Sequence, residues 1–555
     1  MAPTLFMTRR PVIPGILSAG ALVLVLALTG CGGSGDDAAA DAGRPVEGGT
    51  LVYGVDGEPL DLDPHKSPQD IAALWARPVL DSLVALDARG GLHPWLATSW
   101  EVSDDRKTYT FKLRQGVRFS DGTPFDAAAV KANLDHIVDP ATKSQMAAGQ
   151  IKPYQGTEVV DAHTAKVTFS KPHAPFLAAV STVFFGIQSP AQLKKGPDAL
   201  ARQIVGSGPF VIDKYTPRQG IVYKRNPDYR WGPANAAHTG PAHLERLEFK
   251  LLNTDSVRFG ALNSGQVDAI ASVPPSSLKL LERNPKLKYD KRQAPGGNYN
   301  YYPNTTKGPF SDVRVRRAFR DGVDYKTVVG KLYFGAYQAA SSPLSPSTLG
   351  YDKTTETLWR YDATAAGRLL DEAGWTGRDA EGYRTKDGER LTVHMLSVRT
   401  IDREQRGTLA EQIQAEAKKI GFDLQIDRGT VNEYIARFGK GDYDVAAISW
   451  QRADADALRN LFDTGSISDG TRLTQNIARY SDKDVDGWLA RALDTNDQAA
   501  RAELYAKVQK KVTEDAAVVP IYTPTYLVGF AKTVGGISWE AQAFPTFYDS
   551  WKTGK

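Results

Sequence analysis

Apolar and polar positions alternate along the opening part of the chain, the pattern that turns one face of a strand toward a core. Thr50–Val55 (TLVYGV) reads as such a strand, and Tyr109, Phe111 and Leu113 share one face of another. The pattern then changes to a helical one. Over 126–138 it predicts a helix capped by Asp126, with Val130, Leu134 and Ile137 on its apolar stripe. Strand-like runs recur at 166–169, 209–212, 221–224 and 244–251. No short-period repeat is present, which argues against a solenoid or a propeller.

The later pattern alternates between the two periods. Leu391–Leu396 reads as a strand, and 403–420 as a helix presenting Leu409, Ile413, Ala417 and Ile420, ended by Gly421. Phe422–Ile426 follows as a strand, 431–438 as a helix and Tyr443–Trp450 as a strand. Strand and helix in that order imply right-handed crossovers and a parallel sheet. Ligands of open parallel sheets sit beyond the carboxyl ends of the strands. Here those ends are Ser397–Thr400, Asp427–Thr430 and Gln451–Asp456. A helix over 497–515 and a strand over Val518–Tyr522 close the pattern, and that late strand is expected to return the chain to its first lobe. Two crossings between lobes would make a hinge.

At 555 residues the chain exceeds what one core accommodates, so two lobes are expected. With 41% hydrophobic and 24% charged residues it is a folded chain and not a disordered one. Without Arg9 and Arg10, which belong to the leader described next, 66 basic residues face 64 acidic ones. That balance gives no reason to expect a nucleic-acid partner.

Arg9 and Arg10 precede the apolar run Ala19–Leu28, which is too short to span a bilayer with margin. A basic start, a short apolar run and small residues at its end describe an export signal. The run ends at Leu28-Thr29-Gly30-Cys31, which resembles the bacterial lipobox, whose cysteine is acylated and becomes the first mature residue. Cys31 is the only cysteine, so disulfides are excluded from the body. Gly32–Glu47 lacks large apolar residues and reads as a flexible tether. Lipid attachment at Cys31 would hold a monomeric body at the outer face of the cell membrane, on its extracellular or periplasmic side.

Several stretches, in order, carry a resemblance. They are Leu60-Asp-Leu-Asp-Pro64, Leu96-Ala-Thr-Ser-Trp100, Thr108–Arg114, Val117–Phe125, Gly206–Phe210 and Arg225–Tyr229. Asn304 with Pro309–Arg316, Tyr361-Asp362 with Leu369–Trp375, and Gly441–Asp444 continue the series. From about Gly49 to its end the chain resembles the extracellular solute-binding proteins that serve peptide, nickel and related importers of the ATP-binding-cassette class. The resemblance implies an α/β, two-lobe periplasmic-binding-protein-like fold (type II), with a hinged cleft and an extra subdomain on the first lobe. The expected divisions are a signal peptide over 1–30, a tether over 31–48 and a first lobe from 49–94, 205–294 and 520–555. The subdomain would be 95–204 and the second lobe 295–519. The implied function is ligand capture and delivery to a membrane permease.

In peptide binders of this family an aspartate shortly after a tryptophan holds the ligand's α-amino group. The corresponding stretch here is Trp450-Gln-Arg452-Ala-Asp454-Ala-Asp456. The family more often reads Trp-x-x-Asp-x-x-Asp-Pro, so Asp454 stands one position late and Ala457 replaces the proline. A carboxylate in a cleft suits an ammonium group. Equally, Asp454 and Asp456 could belong to a solvated loop or cap a helix around 456–462, and Arg452 could take a ligand carboxylate or neutralise Asp454. In Asn298–Asn304, alternation sends Tyr299 and Tyr301 to one face and Asn300 and Tyr302 to the other. Tyrosines suit a gripping cleft as well as a core. Trp75, on a helix over 69–76, has the same two readings. An oligopeptide or dipeptide is the first ligand expectation, with an oligosaccharide or a metal chelate as alternatives.

Catalytic chemistry finds little support. Ser276-x-x-Lys279 and Lys552-Thr-Gly554 match two motifs of serine acyl-enzymes, but the tripeptide is expected at the frayed end of the chain, and Ser276 reads better as a helix cap after Pro274-Pro275. Neither a Gly-x-Ser-x-Gly elbow nor a phosphate-binding loop of the Gly-x4-Gly-Lys-Ser/Thr type occurs. His238 and His243, the closest histidine pair, are separated by Gly240 and Pro241 and expected on a surface loop. No cofactor and no protein-held metal is expected.

Overall fold

A computed structural model describes residues 43–398, 403–470 and 474–554. The apolar leader, Cys31 and most of the expected tether fall outside these residues, as does Thr400. The last residues expected in the tether are held: the Glu47 carboxylate accepts from Arg225 at 2.9 Å and pairs with His243 at 2.7 Å. Among the described residues no helix is long and apolar enough to cross a membrane.

Two large sheets organise the molecule. The first has seven strands in the spatial order Leu287–Gln293, Thr525–Ala531, Ala269–Ile270, Thr50–Val55, Arg246–Leu251, Gly220–Arg225 and Phe210–Thr216. The second has six: Gln338–Ala339, Val519–Thr523, Gly296–Pro303, Val445–Gln451, Thr392–Val398 and Asp423–Gly429. A four-stranded antiparallel sheet, containing Thr108–Leu113 and Thr164–Phe169, forms a subdomain with the helix Ala127–Val138. Asp126 caps that helix as its sequence predicts, accepting from the Ala129 N–H at 2.9 Å.

The strand–helix–strand reading holds where it was sharpest. Thr392–Val398 pairs in parallel with both Asp423–Gly429 and Val445–Gln451. Yet the sheet is mixed, because Gly296–Pro303 runs antiparallel beside Val445–Gln451. Every residue of Gly296–Pro303 is buried, as expected for a strand covered on both faces. Tyr299 and Tyr301 do share a face, with ring centroids 6.0 Å apart. Across the strand, the Asn300 amide donates to the Tyr302 hydroxyl at 3.1 Å.

Among the described residues the chain crosses between the two sheets twice, at Ala294–Pro295 and at Pro524. The second crossing comes one strand later than expected: Val519–Thr523 still pairs with Tyr299–Tyr301 in the second sheet, and Thr525–Ala531 enters the first. Pro524 explains the switch, since it has no N–H to continue the ladder. The crossings touch, with the Ala294 N–H donating to the Pro524 carbonyl at 2.8 Å.

Two smaller expectations are corrected. Ser276 is not a helix cap; it lies inside a single tight turn, Pro275–Ser277, and the helix Leu278–Arg283 starts from Ser277 without a side-chain cap. Lys552 does not sit at a frayed end, because it pairs in a short strand with Val534 and reaches Asp268 at 2.8 Å. His238 and His243 are stacked at 4.2 Å, and each is bound to a carboxylate, His238 to Asp549 and His243 to Glu47.

Candidate functional site

A cavity of about 370 Å³ lies at the carboxyl ends of Thr392–Val398 and Asp423–Gly429, where sequence reasoning places a ligand. Tyr299, Ser397, Arg406, Glu411, Arg428 and Tyr434 are among its walls. Arg406 is fixed from several sides. It donates to Glu404 at 2.7 Å, to the Tyr522 hydroxyl at 2.9 Å and to Ser449 at 3.1 Å, and its guanidinium lies 4.2 Å over the Tyr299 ring. The Tyr522 hydroxyl also donates to Glu404. Burial would raise the Glu404 pKa, but Arg406, Arg403 and the Tyr522 bond overrule it and hold the carboxyl down to about 2.

This cluster reaches the other sheet. Arg403 lies 3.5 Å from Asp70, which also accepts from the Tyr526 hydroxyl at 3.2 Å. Asp70 opens the helix Asp70–Ala76 of the first lobe, and Tyr526 belongs to a first-sheet strand. Glu404 and Gln405 both adopt left-handed backbone conformations, φ 55° and 54°, which cost roughly 1–3 kcal/mol per non-glycine residue. The bonds of the Glu404 side chain compensate for that strain. Sequence reasoning runs a helix through 403–405; the α-helix begins only at Arg406, after this turn.

The turn after Val445–Gln451 faces the first lobe and its subdomain. Gly296 (φ +103°) lets two backbones meet there, since a Cβ would stand 2.3 Å from the Trp450 carbonyl. Arg452 stacks on Trp450 at 4.4 Å and approaches Phe184 at 6.0 Å. Its guanidinium donates to the Gln451 carbonyl and to Met146 Sδ, and its Nε to Gln150 at 2.7 Å with the Gln150 amide turned to present oxygen. No carboxylate among the described residues forms an ion pair with it. Burial pushes its pKa down to about 10, opposed only by the charge of Asp70.

Asp454 and Asp456 are differently placed. Arg501 donates to Asp454 through both terminal nitrogens, at 3.0 and 3.1 Å. Asp456 accepts from Arg459 at 2.7 Å and from the Tyr505 hydroxyl at 3.1 Å. It stands before the helix Ala457–Phe462 but makes no side-chain cap bond. Arg452 therefore does not neutralise Asp454; Arg501, far along the chain, does. Arg452, Asp454 and Asp456 line a small cavity of about 50 Å³ together with Gln150, Pro175 and Gln542. A neighbouring cavity of about 170 Å³ is walled by Trp95, Tyr229, Trp539 and Phe547, with Ala453 of the second lobe in its lining. The ion pair of Arg77 with Glu540 sits in its wall.

Of the residues singled out by sequence, Trp450 at the strand end and Arg452, Asp454 and Asp456 on the turn after it come together, and Tyr299 lines the second-lobe cavity. Tyr301 is wholly buried in the second-lobe core, its hydroxyl without a hydrogen-bond partner. Trp75 is wholly buried in the first-lobe core, edge-on to Tyr215 and Phe249. The charged cluster of Asp70, Arg403, Glu404 and Arg406 escaped the sequence reading. The signal was there: three charged residues, Arg403, Glu404 and Arg406, close behind a strand end in a sheet whose strand ends were already suspect.

Residues 91–470 match the family described as bacterial extracellular solute-binding proteins, family 5 middle region. The chain is 29% identical over 527 residues to di/tripeptide-binding protein 1 of Pseudomonas aeruginosa, covering 90% of this chain and 93% of that one. Among solved structures, DppA from Helicobacter pylori in complex with the peptide STSA superposes with a TM-score of 0.77 at 26% identity, over 92% of this chain and 99% of that one. NikA from Brucella suis in complex with Fe(III)-EDTA gives 0.78 at 26% identity, over 91% and 100%.

Proposed function

The chain belongs to the bacterial extracellular solute-binding proteins of family 5, and from that membership we propose that it captures a short peptide bearing a free carboxylate and delivers it to an ATP-binding-cassette import permease. The two-lobe fold encloses the ligand, and the chain contributes binding and not bond-making. The observation that carries the ligand's chemistry is the Arg452 guanidinium: stacked on Trp450 at the crevice, desolvated, and not ion-paired with any described carboxylate. A partly desolvated charge without a counter-charge is costly, and an incoming carboxylate relieves that cost with charge-assisted hydrogen bonds. Asp454 is the natural partner for a ligand amine by resemblance, but its carboxylate is already occupied by Arg501. Recognition therefore centres on the acid end of the peptide. Tyr299, Arg406 and the aromatic walls around Trp95 and Trp539 supply stacking surface and polar contacts for the remainder.

Two relatives support the peptide: di/tripeptide-binding protein 1, by its name, and DppA, by the peptide it holds. A carboxylate-rich metal chelate is the second reading, favoured by the likeness to NikA with Fe(III)-EDTA, and it would use the same guanidinium. Lipid attachment at Cys31 would keep the carrier at the outer membrane face as a monomer. Mass spectrometry of the molecule released on denaturing the purified protein, followed by calorimetry with free-acid and amidated di- and tripeptides, tests the reading. Free-acid peptides are expected to bind and their amides to bind far more weakly. Equal affinities would overturn it.

A further inference from the structure

Away from the crevice, Asp63, His65 and His136 form the only cluster of metal-ligating side chains among the described residues, with one donor atom from each lying within 4.8 Å of the others. None of the three lines the cavities described above. Asp63 and His65 lie on the segment that follows the first strand and are buried; His136 comes from the helix Ala127–Val138 and is partly exposed.

The surrounding hydrogen bonds determine where each ring carries its hydrogen. His65 Nε2 lies 2.8 Å from the Gly186 carbonyl oxygen, which can only accept, so Nε2 donates. In the neutral ring Nδ1 is then a bare lone pair; it is buried, without a hydrogen-bond partner, and 3.9 Å from Asp63 Oδ1. On His136 the tautomer is set by Thr142. The Thr142 hydroxyl gives its hydrogen to the His136 carbonyl at 2.5 Å, so in its 3.2 Å contact with Nδ1 it must accept. Nδ1 of His136 therefore carries a hydrogen, and Nε2 of the neutral ring aims a lone pair at Asp63 Oδ2, 3.3 Å away.

With both rings neutral, two imidazole lone pairs and a carboxylate thus converge with no donor between them. Asp63 has its own support, since Oδ1 accepts from the Gln188 amide at 2.8 Å and from the His65 N–H at 3.0 Å, which leaves Oδ2 for the cluster. Such a set repels itself unless a cation occupies it. We propose that Asp63, His65 and His136 bind a divalent transition-metal ion of the zinc class, through Asp63 Oδ2, His65 Nδ1 and His136 Nε2. Two nitrogens and one oxygen suit such an ion, and a carbonyl or hydroxyl oxygen accepting from the far nitrogen of each ring is the outer support that metal-bound histidines usually have. The ion would pin the segment after the first strand to the subdomain helix. The site was invisible to the sequence reading because its histidines come from distant segments.

The test uses the whole mature chain, freed of metal by a chelator and titrated with Co²⁺ alone. One equivalent is expected to bind with a visible absorption band, to be displaced by Zn²⁺, and to raise the melting temperature. His136→Asn, at the least buried ligand, is expected to abolish the band and the melting shift while leaving the circular dichroism unchanged. Should that variant fail to fold, histidine-ring NMR of the unmodified chain reads the same point: Zn²⁺ should shift two imidazoles and spare the rest. Absence of a saturable equivalent would mean that a proton is the resident cation and would overturn the proposal, as would a Co²⁺ band that survives His136→Asn or an NMR response confined to other histidines.

Discussion

Arg501 grips Asp454 with two parallel hydrogen bonds, Nη1 to Oδ2 at 3.0 Å and Nη2 to Oδ1 at 3.1 Å. Both side chains are largely buried, at 11% and 19% exposure, so the pair is poorly screened by solvent. Removing one member leaves the other charge uncompensated. Asp454→Ala is expected to lower unfolding stability by about 3–5 kcal/mol, and the double variant Asp454→Leu/Arg501→Met to recover most of it. Chemical denaturation of the three proteins checks this. A single variant as stable as the parent would show that Asp454 is free to serve a ligand amine.

Arg452 should behave in the opposite way. It has no described carboxylate to leave stranded, so Arg452→Gln should leave the ligand-free protein at least as stable as the parent. Ligand binding should suffer, because the ligand's carboxylate then loses its charged partner. A loss of about 2 kcal/mol or more is expected, roughly a 30-fold rise in Kd. Calorimetry with the molecule recovered from the purified protein measures it. Unchanged affinity would remove Arg452 from the site.

Tyr301 offers a test of the core reading. Its hydroxyl is buried and lacks a hydrogen-bond partner, a state that costs roughly 1–3 kcal/mol. Tyr301→Phe deletes that oxygen and keeps the ring. The variant is expected to be more stable by about 1 kcal/mol and to bind ligand as the parent does. Destabilisation, or a change in affinity, would mean that the hydroxyl has a role in the working protein.

These contrasts mark what the sequence carried and what it did not. Strands such as Thr50–Val55 and Thr108–Leu113 were legible because burial on one face imposes alternation on the residues themselves. The Asp126 cap was legible because donor and acceptor are three residues apart. The Trp450–Asp456 turn could be located because strand ends in parallel sheets are predictable. The role of each side chain on it could not, since Asp454 is neutralised from the helix Gln498–Glu514 and Arg452 is desolvated by the subdomain. The same holds for Glu404 and Gln405, whose left-handed turn is imposed by tertiary bonds and leaves no local signature. Pairings made over long chain separation are set by packing, which periodicity does not encode.

Glu404 predicts a response to acid. Its folded pKa is about 2, below the ordinary value of 4.5, so the unfolded chain binds its proton first. The carboxylate's stabilisation is fully present above pH 4.5 and is lost as pH falls from there through about 2. It amounts to about 3 kcal/mol at neutral pH. Glu404→Gln should therefore be less stable than the parent at pH 7, with the gap closing toward pH 2. Denaturation curves across that range measure the gap, and a gap independent of pH would contradict the pairing with Arg406.

The hinge makes the last prediction. Among the described residues only two stretches of chain cross between the sheets, and they hold each other where the Ala294 N–H meets the Pro524 carbonyl at 2.8 Å. Between the lobes, Arg403 of the second lies 3.5 Å from Asp70 of the first, and the Arg106 guanidinium 2.7 Å from the Asp494 carbonyl. Opening must break both contacts while leaving the crossing strands intact. Solution scattering should thus show a smaller radius of gyration with saturating ligand than without. Pro524 restricts how far the unliganded lobes wander, because its φ is locked. Pro524→Gly, which touches no cavity wall, widens the open ensemble at a cost of about 0.4–1 kcal/mol, and affinity should fall roughly two- to fivefold. An unchanged affinity in that variant, together with a radius indifferent to ligand, would mean that the lobes do not move and that the ligand enters a crevice already shut.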